Sequence, residues 1–306
     1  MGCQHCVFPR FPRLVNVGRM PARQPRVLIL DSAPAAAREA VLANGGTTFG
    51  DNYIDALRSC MPALDTWVLN AGDCEKLPQG VALSDFDGIV WTGSPLDAFA
   101  QDPVVRFQAD LAKAGFESGV PGFGSCWGVQ IMSVALGGRV HRHPTGFEFG
   151  VARYVRVNAA GRSHPMYAGK PDTFDALCLH RDEVAAPPPG ATVLASNDHS
   201  AVQALCVEDG ARSFWGVQYH PEFDLAMMAA LYRRAAPNLP AIGLARASED
   251  GRAIADDLRA LHDDPDRTDV AWRYGLRPDV TDMARHRIEL GNWLRGKVIP
   301  HAAGRG

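Results

Sequence analysis

The apolar run Val120-Pro121-Gly122-Phe123 leads straight into Gly124-Ser125-Cys126-Trp127-Gly128-Val129-Gln130, and this junction constrains the fold more than any other stretch of the 306 residues. It reads as a buried strand, a sharp turn with a cysteine at its tip, and a helix over residues 127–136. Only residues without Cβ let such a turn close tightly, which is the reason for glycine at 124 and 128. The surroundings agree with an α/β arrangement. Arg26-Val27-Leu28-Ile29-Leu30-Asp31 has the continuous apolar character of a parallel strand buried on both faces. Helical sequence at 52–58, strands at 66–69 and 87–91 and a helix at 103–113 then follow in alternation. This pattern predicts a doubly wound, mostly parallel sheet flanked by helices, with ligands held beyond the carboxyl ends of the strands.

Cys126 stands at such an end, where the N-terminus of the following helix favours thiolate over thiol. A base for it is offered by Trp215-Gly216-Val217-Gln218-Tyr219-His220-Pro221-Glu222. In extended backbone His220 and Glu222 project to one side, so the carboxylate can orient the imidazole while the imidazole faces the thiol. Upstream, Asp87-Gly88-Ile89-Val90-Trp91 runs into the loop Thr92-Gly93-Ser94-Pro95. Proline has no N–H to give, so Gly93 and Ser94, with the backbone N–H of Trp127, are the candidate donors for an oxyanion hole.

These motifs resemble those of the class I, triad-type glutamine amidotransferases, in which G-[ILSV]-C-[FYW]-G-x-Q, G-x-Q-[FY]-H-P-E and a [ST]-G-[GS]-P loop end three strands. All three occur here in family-like spacing, and the likeness extends over residues 26–238. It includes Gly146-Phe147-Glu148-Phe149-Gly150 and Leu179-His180-Arg181-Asp182-Glu183-Val184. The resemblance implies a flavodoxin-like fold and a cofactor-free thioester mechanism on glutamine, with Cys126 as nucleophile, His220 as base and Glu222 as orienting acid. It makes Ser94 and Trp127 oxyanion donors and Gln130 a wall of the glutamine pocket, and it lays His180, Arg181 and Asp182 over the substrate backbone. Arg181 stands where the family often has a small residue. The cluster at 180–184 also resembles the branch that hydrolyses γ-glutamyl peptides, and the glutaminase half of guanosine monophosphate synthetases is similar. A synthetase partner taking the ammonia, a free-standing hydrolase and a catalytically idle regulatory paralogue all follow as readings.

Between residues 138 and 219 the chain changes to short strands, at 151–157, 173–179, 191–195 and 201–206, which predict a small antiparallel layer beside the main sheet. A helix at 224–235 returns it to α/β packing. Residues 25–240 then form the main domain, and residues 241–306 a helical extension. In the extension Ile254, Leu258 and Leu261, and then Met283, Leu290 and Leu294, recur at helical spacing, with a break at 265–268. Two amphipathic helices are expected, capping a domain already complete at Asn238 or forming a homo-oligomer interface. Gly291-Asn292-Trp293-Leu294-Arg295-Gly296-Lys297 matches most of a phosphate loop. It is read as coincidence, because it lies within a helical pattern and Val298 replaces the hydroxyl residue.

Residues 1–24 are rich in proline and arginine and carry no period, which predicts a disordered tail, with Met20 an alternative start. Cys3-Gln4-His5-Cys6 has no second pair to complete a tetrahedral metal site. His141 and His143 alternate on a strand-like segment without an evident third ligand, so hydrogen-bonded histidines are expected there. A formal net charge of −3 argues against a nucleic-acid partner. No apolar run nears the roughly 20 residues of a membrane span, and the N-terminus lacks the apolar segment of a secretory signal. Seven scattered cysteines fit a cytoplasmic protein.

Overall fold

The structure is a computed structural model that describes residues 23–305. Cys3-Gln4-His5-Cys6 and residues 1–22 of the expected tail lie outside the described residues. Arg23, counted with that tail, is held by both carboxylate oxygens of the buried Asp87 at 2.7 Å. Along the chain come β1 (Arg26–Leu30), α1 (Ala35–Leu42), α2 (Phe49–Cys60), β2 (Asp65–Leu69), β3 (Gly88–Trp91), α3 (Pro103–Glu117), β4 (Gly122–Ser125) and α4 (Trp127–Ala135). There follow β5 (Arg139–Arg142), β6 (Glu148–Val157), α5 (Ala159–Ser163), β7 (Thr173–His180), β8 (Asp182–Ala186), β9 (Ala191–Ser196), β10 (Ala204–Asp209), β11 (Arg212–Val217) and α6 (Leu225–Ala235).

Nine strands form one sheet in the order β2-β1-β3-β4-β11-β10-β9-β6-β7. The half from β2 to β11 is parallel, as the alternation of strands and helices predicts. The other half is antiparallel. Those strands were expected as a layer beside the main sheet, but β11 pairs with β4 on one edge and β10 on the other, so a single mixed sheet results. Among the described residues only β5 and β8 stand apart, as an antiparallel pair. Helix α1 is not among the sequence expectations: its alanine-rich run buries Val41 alone and so carries little periodic signal. Caps fix the other starts. Thr48 accepts the N–H of Asp51, Asp102 that of Val104 and Asp224 that of Met227.

Alternation along the parallel strands sends Val27, Ile29, Val90 and Phe123 to one face, and Leu28, Leu30, Ile89 and Trp91 to the other. The second face is covered by α3 and α4, through Val105, Phe116, Trp127 and Ile131. The first is covered by α2 and by the C-terminal extension. That extension comprises α7 (Ser248–Asp263), α8 (Thr268–Tyr274), α9 (Pro278–Thr281), α10 (Met283–His286), α11 (Ile288–Trp293), a π-helical turn (Leu294–Val298) and α12 (Ile299–Ala303).

Its second expected helix is thus a series of short turns, each reoriented to follow the sheet. Leu290, Trp293, Leu294 and Val298 enter the same cluster as Val27, Ile29 and Phe123. The Trp293 ring lies 5.9 Å from that of Phe123, and a Cβ on Gly88 would meet it at 2.7 Å. The α/β layer is therefore not closed at Asn238 as expected: without residues 288–298 one face of its parallel half would keep only the cover of α2. A buried ion pair fastens the join, with Lys170 Nζ 2.8 Å from Glu289 Oε2. The phosphate-loop lookalike is helical throughout, and its Lys297 pairs with Glu208 at 2.9 Å. Among the described residues no helix is long and apolar enough to cross a membrane.

Candidate active site

Cys126 sits between β4 and α4 with φ 51° and ψ −103°, a conformation that costs a non-glycine residue about 1–3 kcal/mol. The flanking glycines make the turn possible: a Cβ on Gly124 would lie 2.8 Å from the Gly128 backbone, and one on Gly128 2.6 Å from Trp91 O. The Cys126 N–H donates to Val217 O at 2.8 Å, which ties the turn to the end of β11. Beyond that end comes His220, whose N–H donates to Leu177 O. Its ring stacks flat on Phe223 at 3.8 Å, and its Nδ1 is 2.7 Å from Glu222 Oε1. On its other side a Cβ at Gly93 would meet His220 Cε1 at 2.8 Å, so residue 93 must be glycine for the ring to stay where it is.

His220 is enclosed, and burial by itself pushes its imidazole down. The charge and hydrogen bond of Glu222, with the neighbouring Cys126, outweigh that and raise it from 6.5 to about 10. A raised histidine contributes stability that is fully present below pH 6.5 and is lost as pH climbs through about 10. The gap in unfolding midpoint between the parent and His220→Asn should therefore narrow over that window. Denaturant titrations at several pH values check this, and a gap that stays constant or widens contradicts it.

Glu222 is itself held. Ser125 Oγ donates to its Oε1 at 2.8 Å, and Tyr53 OH donates to Ser125 Oγ at 2.8 Å. This chain was not foreseen, because Tyr53 is 72 residues from Ser125. Two more unforeseen contacts come from the extension. His286 Nε2 lies 3.0 Å from the His220 carbonyl, and Tyr219 OH donates to Glu289 Oε1 at 2.6 Å.

Cys126, His220, Gly93, Ser94, Gln130, His180, Arg181 and Asp182 all line one cavity of about 400 Å³. Among the described residues nothing accepts the backbone N–H of Gly93, Ser94 or Trp127. The Trp127 side chain is core, its Nε1 donating to Gln108 Oε1 at 2.9 Å, so only its backbone is available to the site. Gln130 Nε2 donates to Asp182 O at 2.8 Å and Gln218 Oε1 at 3.2 Å, so it also fixes the turn that follows β7. His180 has both ring nitrogens engaged, with Glu148 Oε2 at 2.8 Å and Asp182 O at 3.1 Å. Arg181 donates to Asp97 at 2.6 Å, a partner that the sequence did not single out. Burial first, and then the neighbouring Asp97, lift the Asp182 carboxyl to about 6. His141 and His143 lie apart from this centre, held by Glu183 and by the His199 carbonyl. Among the described residues no group of three or more His, Cys, Asp or Glu side chains could hold a metal ion.

Residues 41–234, well over half of the chain, match the glutamine amidotransferase class-I family, and the chain belongs to that family. Among curated relatives it is 29% identical over 280 residues to a γ-glutamyl-L-1-hydroxyisopropylamide hydrolase of a Pseudomonas species, covering 90% of this chain and 94% of that protein. It is 34% identical over 199 residues to the glutamine-hydrolysing GMP synthase of Leifsonia xyli, covering 61% of this chain but only 37% of that one. Crystal structures of glutamine amidotransferases from Thermotoga maritima and Methylobacillus flagellatus share the fold. Each superposes with a TM-score of 0.62, at 17% and 21% identity, covering 88% and 90% of this chain and 99% and 96% of theirs.

Proposed function

We propose that this chain is a free-standing γ-glutamyl amide hydrolase, with glutamine the smallest of its substrates. The observation that carries the reading is a strained elbow cysteine in one cavity with a His220 ring that Glu222 holds and charges. In the mechanism, the Cys126 thiol passes its proton to His220 and the sulfur attacks the γ-carbonyl carbon, while the carbonyl oxygen gathers negative charge beside the N–H groups of Gly93, Ser94 and Trp127. The C–N bond then breaks, the departing amine or ammonia takes a proton from His220, and a γ-glutamyl thioester remains. Water, giving a proton back to His220, attacks the thioester and releases glutamate and the free thiol. Gln130, Arg181 and Asp182 are the residues proposed to hold the glutamyl half, and His180 positions them through Asp182 O. The scheme calls for no cofactor.

The hydrolase reading is preferred to that of an ammonia-supplying subunit because the likeness to the Pseudomonas hydrolase runs nearly end to end in both proteins. The likeness to GMP synthases covers the glutaminase part and leaves most of their length unmatched. A cytoplasmic location is part of the same proposal.

The test is chemical. A chloroketone analogue of glutamine should add once, at Cys126, with γ-glutamyl amides protecting the site; peptide mass mapping reads it. Labelling at Cys60, Cys74, Cys178 or Cys206 instead would reject Cys126 as nucleophile, and no labelling at all would favour an idle paralogue.

A further inference from the structure

The cavity has more wall than a glutamine side chain requires, and its walls are of two kinds. One set is polar and tied together by ion pairs and hydrogen bonds: Asp97, Arg181, Asp182 and Gln130. The other begins at Phe223, which stacks on His220, and continues along one stripe of α6 and past its end through Leu231, Arg234 and Asn238. Phe49 and Ile242 complete this second, largely apolar arm.

Arg234 is the unusual member. Its neighbour Arg233 is paired with Asp256 at 2.9 Å and with Asn44 O at 3.1 Å, and Arg181 across the cavity lining is paired with Asp97. Arg234, partly buried, has no hydrogen-bond or ion-pair partner among the described residues. Burial lowers its guanidinium pKa, and no carboxylate acts in the opposite direction. A half-buried cation that lines a cavity and has no counter-ion favours an anion supplied from outside. A planar guanidinium suits a carboxylate in particular.

We propose that the preferred substrates are γ-glutamyl amino acids with an apolar side chain, whose terminal carboxylate is received by Arg234. The apolar arm takes the side chain of the leaving amino acid, and the polar set takes the glutamyl half. This deepens the γ-glutamyl hydrolase reading above and rests on it. It also separates this chain from a hydrolase of neutral hydroxyalkylamides, whose leaving amines carry no carboxylate to pair with Arg234.

The experiment compares kcat/KM of the full chain for γ-glutamyl-leucine, for γ-glutamyl-isopentylamide, which is the same molecule without the terminal carboxylate, and for glutamine. The dipeptide should exceed the isopentylamide by about 10–100-fold, the worth of one charged hydrogen-bonded pair. Arg234→Gln should collapse that ratio towards one, and Arg234→Lys should keep part of it. A parent enzyme that treats the two compounds alike overturns the inference without recourse to any variant. So does an Arg234→Gln enzyme that loses all three substrates equally, which would put the glutamyl carboxylate at Arg234 instead. Cleavage of glutamine alone would also overturn it. Failure to cleave any of the three would reject the hydrolase reading itself, so the two failures are distinct.

Discussion

Cys126→Ala should abolish γ-glutamyl hydrolysis, a loss on the order of 10⁶-fold in kcat for removal of a triad nucleophile. Its unfolding midpoint should stay near that of the parent, since the change removes a single side-chain atom and little volume. Cys126→Gly should be just as inactive yet more stable than Cys126→Ala by about 1–3 kcal/mol, because φ 51° strains alanine and not glycine. His220→Asn should cost about 10²–10⁴-fold, and Glu222→Gln less, since the amide still offers an oxygen to the imidazole. Steady-state kinetics and urea unfolding of the four variants check the set. An active Cys126→Ala enzyme would end the thioester mechanism.

The parallel half of the fold and the elbow were legible because their signals are local. A strand buried on both faces is an unbroken apolar run, and a tight strand-to-helix turn demands glycine at fixed positions. His220, Glu222 and the Gly93 loop were legible for the same reason, each being a short strand end with its own motif. What escaped notice was set by contacts between distant segments. Ser125 belongs to the elbow motif, but its role depends on Tyr53 and Glu222, which come from elsewhere in the chain. Asp97 lies two residues past Pro95 and acquires meaning only once Arg181 is beside it. Periodicity gave the antiparallel strands but not their partners, so β10 and β9 looked like a separate layer rather than a continuation from β11. The sequence also could not tell that Met283, Leu290 and Leu294 belong to successive short turns. Their spacing is helical, and the bends between them are imposed by the sheet they follow.

Trp293→Ala should destabilise the protein by about 3–5 kcal/mol, the cost of emptying a fully buried aromatic site. The cavity would open between Phe123 and Gly88, on the face that the extension covers. Glu289→Ala should be comparably damaging, because it leaves the Lys170 ammonium buried without its counter-charge. Removing residues 242–306 should therefore do more than alter solubility or oligomeric state. It should unfold the domain or disorder His220, and the Cys126 label should be lost with it. Urea titration and labelling measure both effects, and a truncated chain that is folded and still labelled would restore the extension to a mere cap.

The contacts from His286 to the His220 carbonyl and from Glu289 to Tyr219 also bear on how the protein is made. The elbow, the imidazole and the acid all leave the ribosome before the residues that brace them. A nascent chain, a premature-stop product or a proteolytic fragment ending before residue 286 would carry Cys126, His220 and Glu222 but lack the part of the brace behind His220 that His286 and Glu289 supply. Labelling of Cys126 is therefore expected to appear only in chains long enough to include the last helices, which a series of chains ending at graded positions would show.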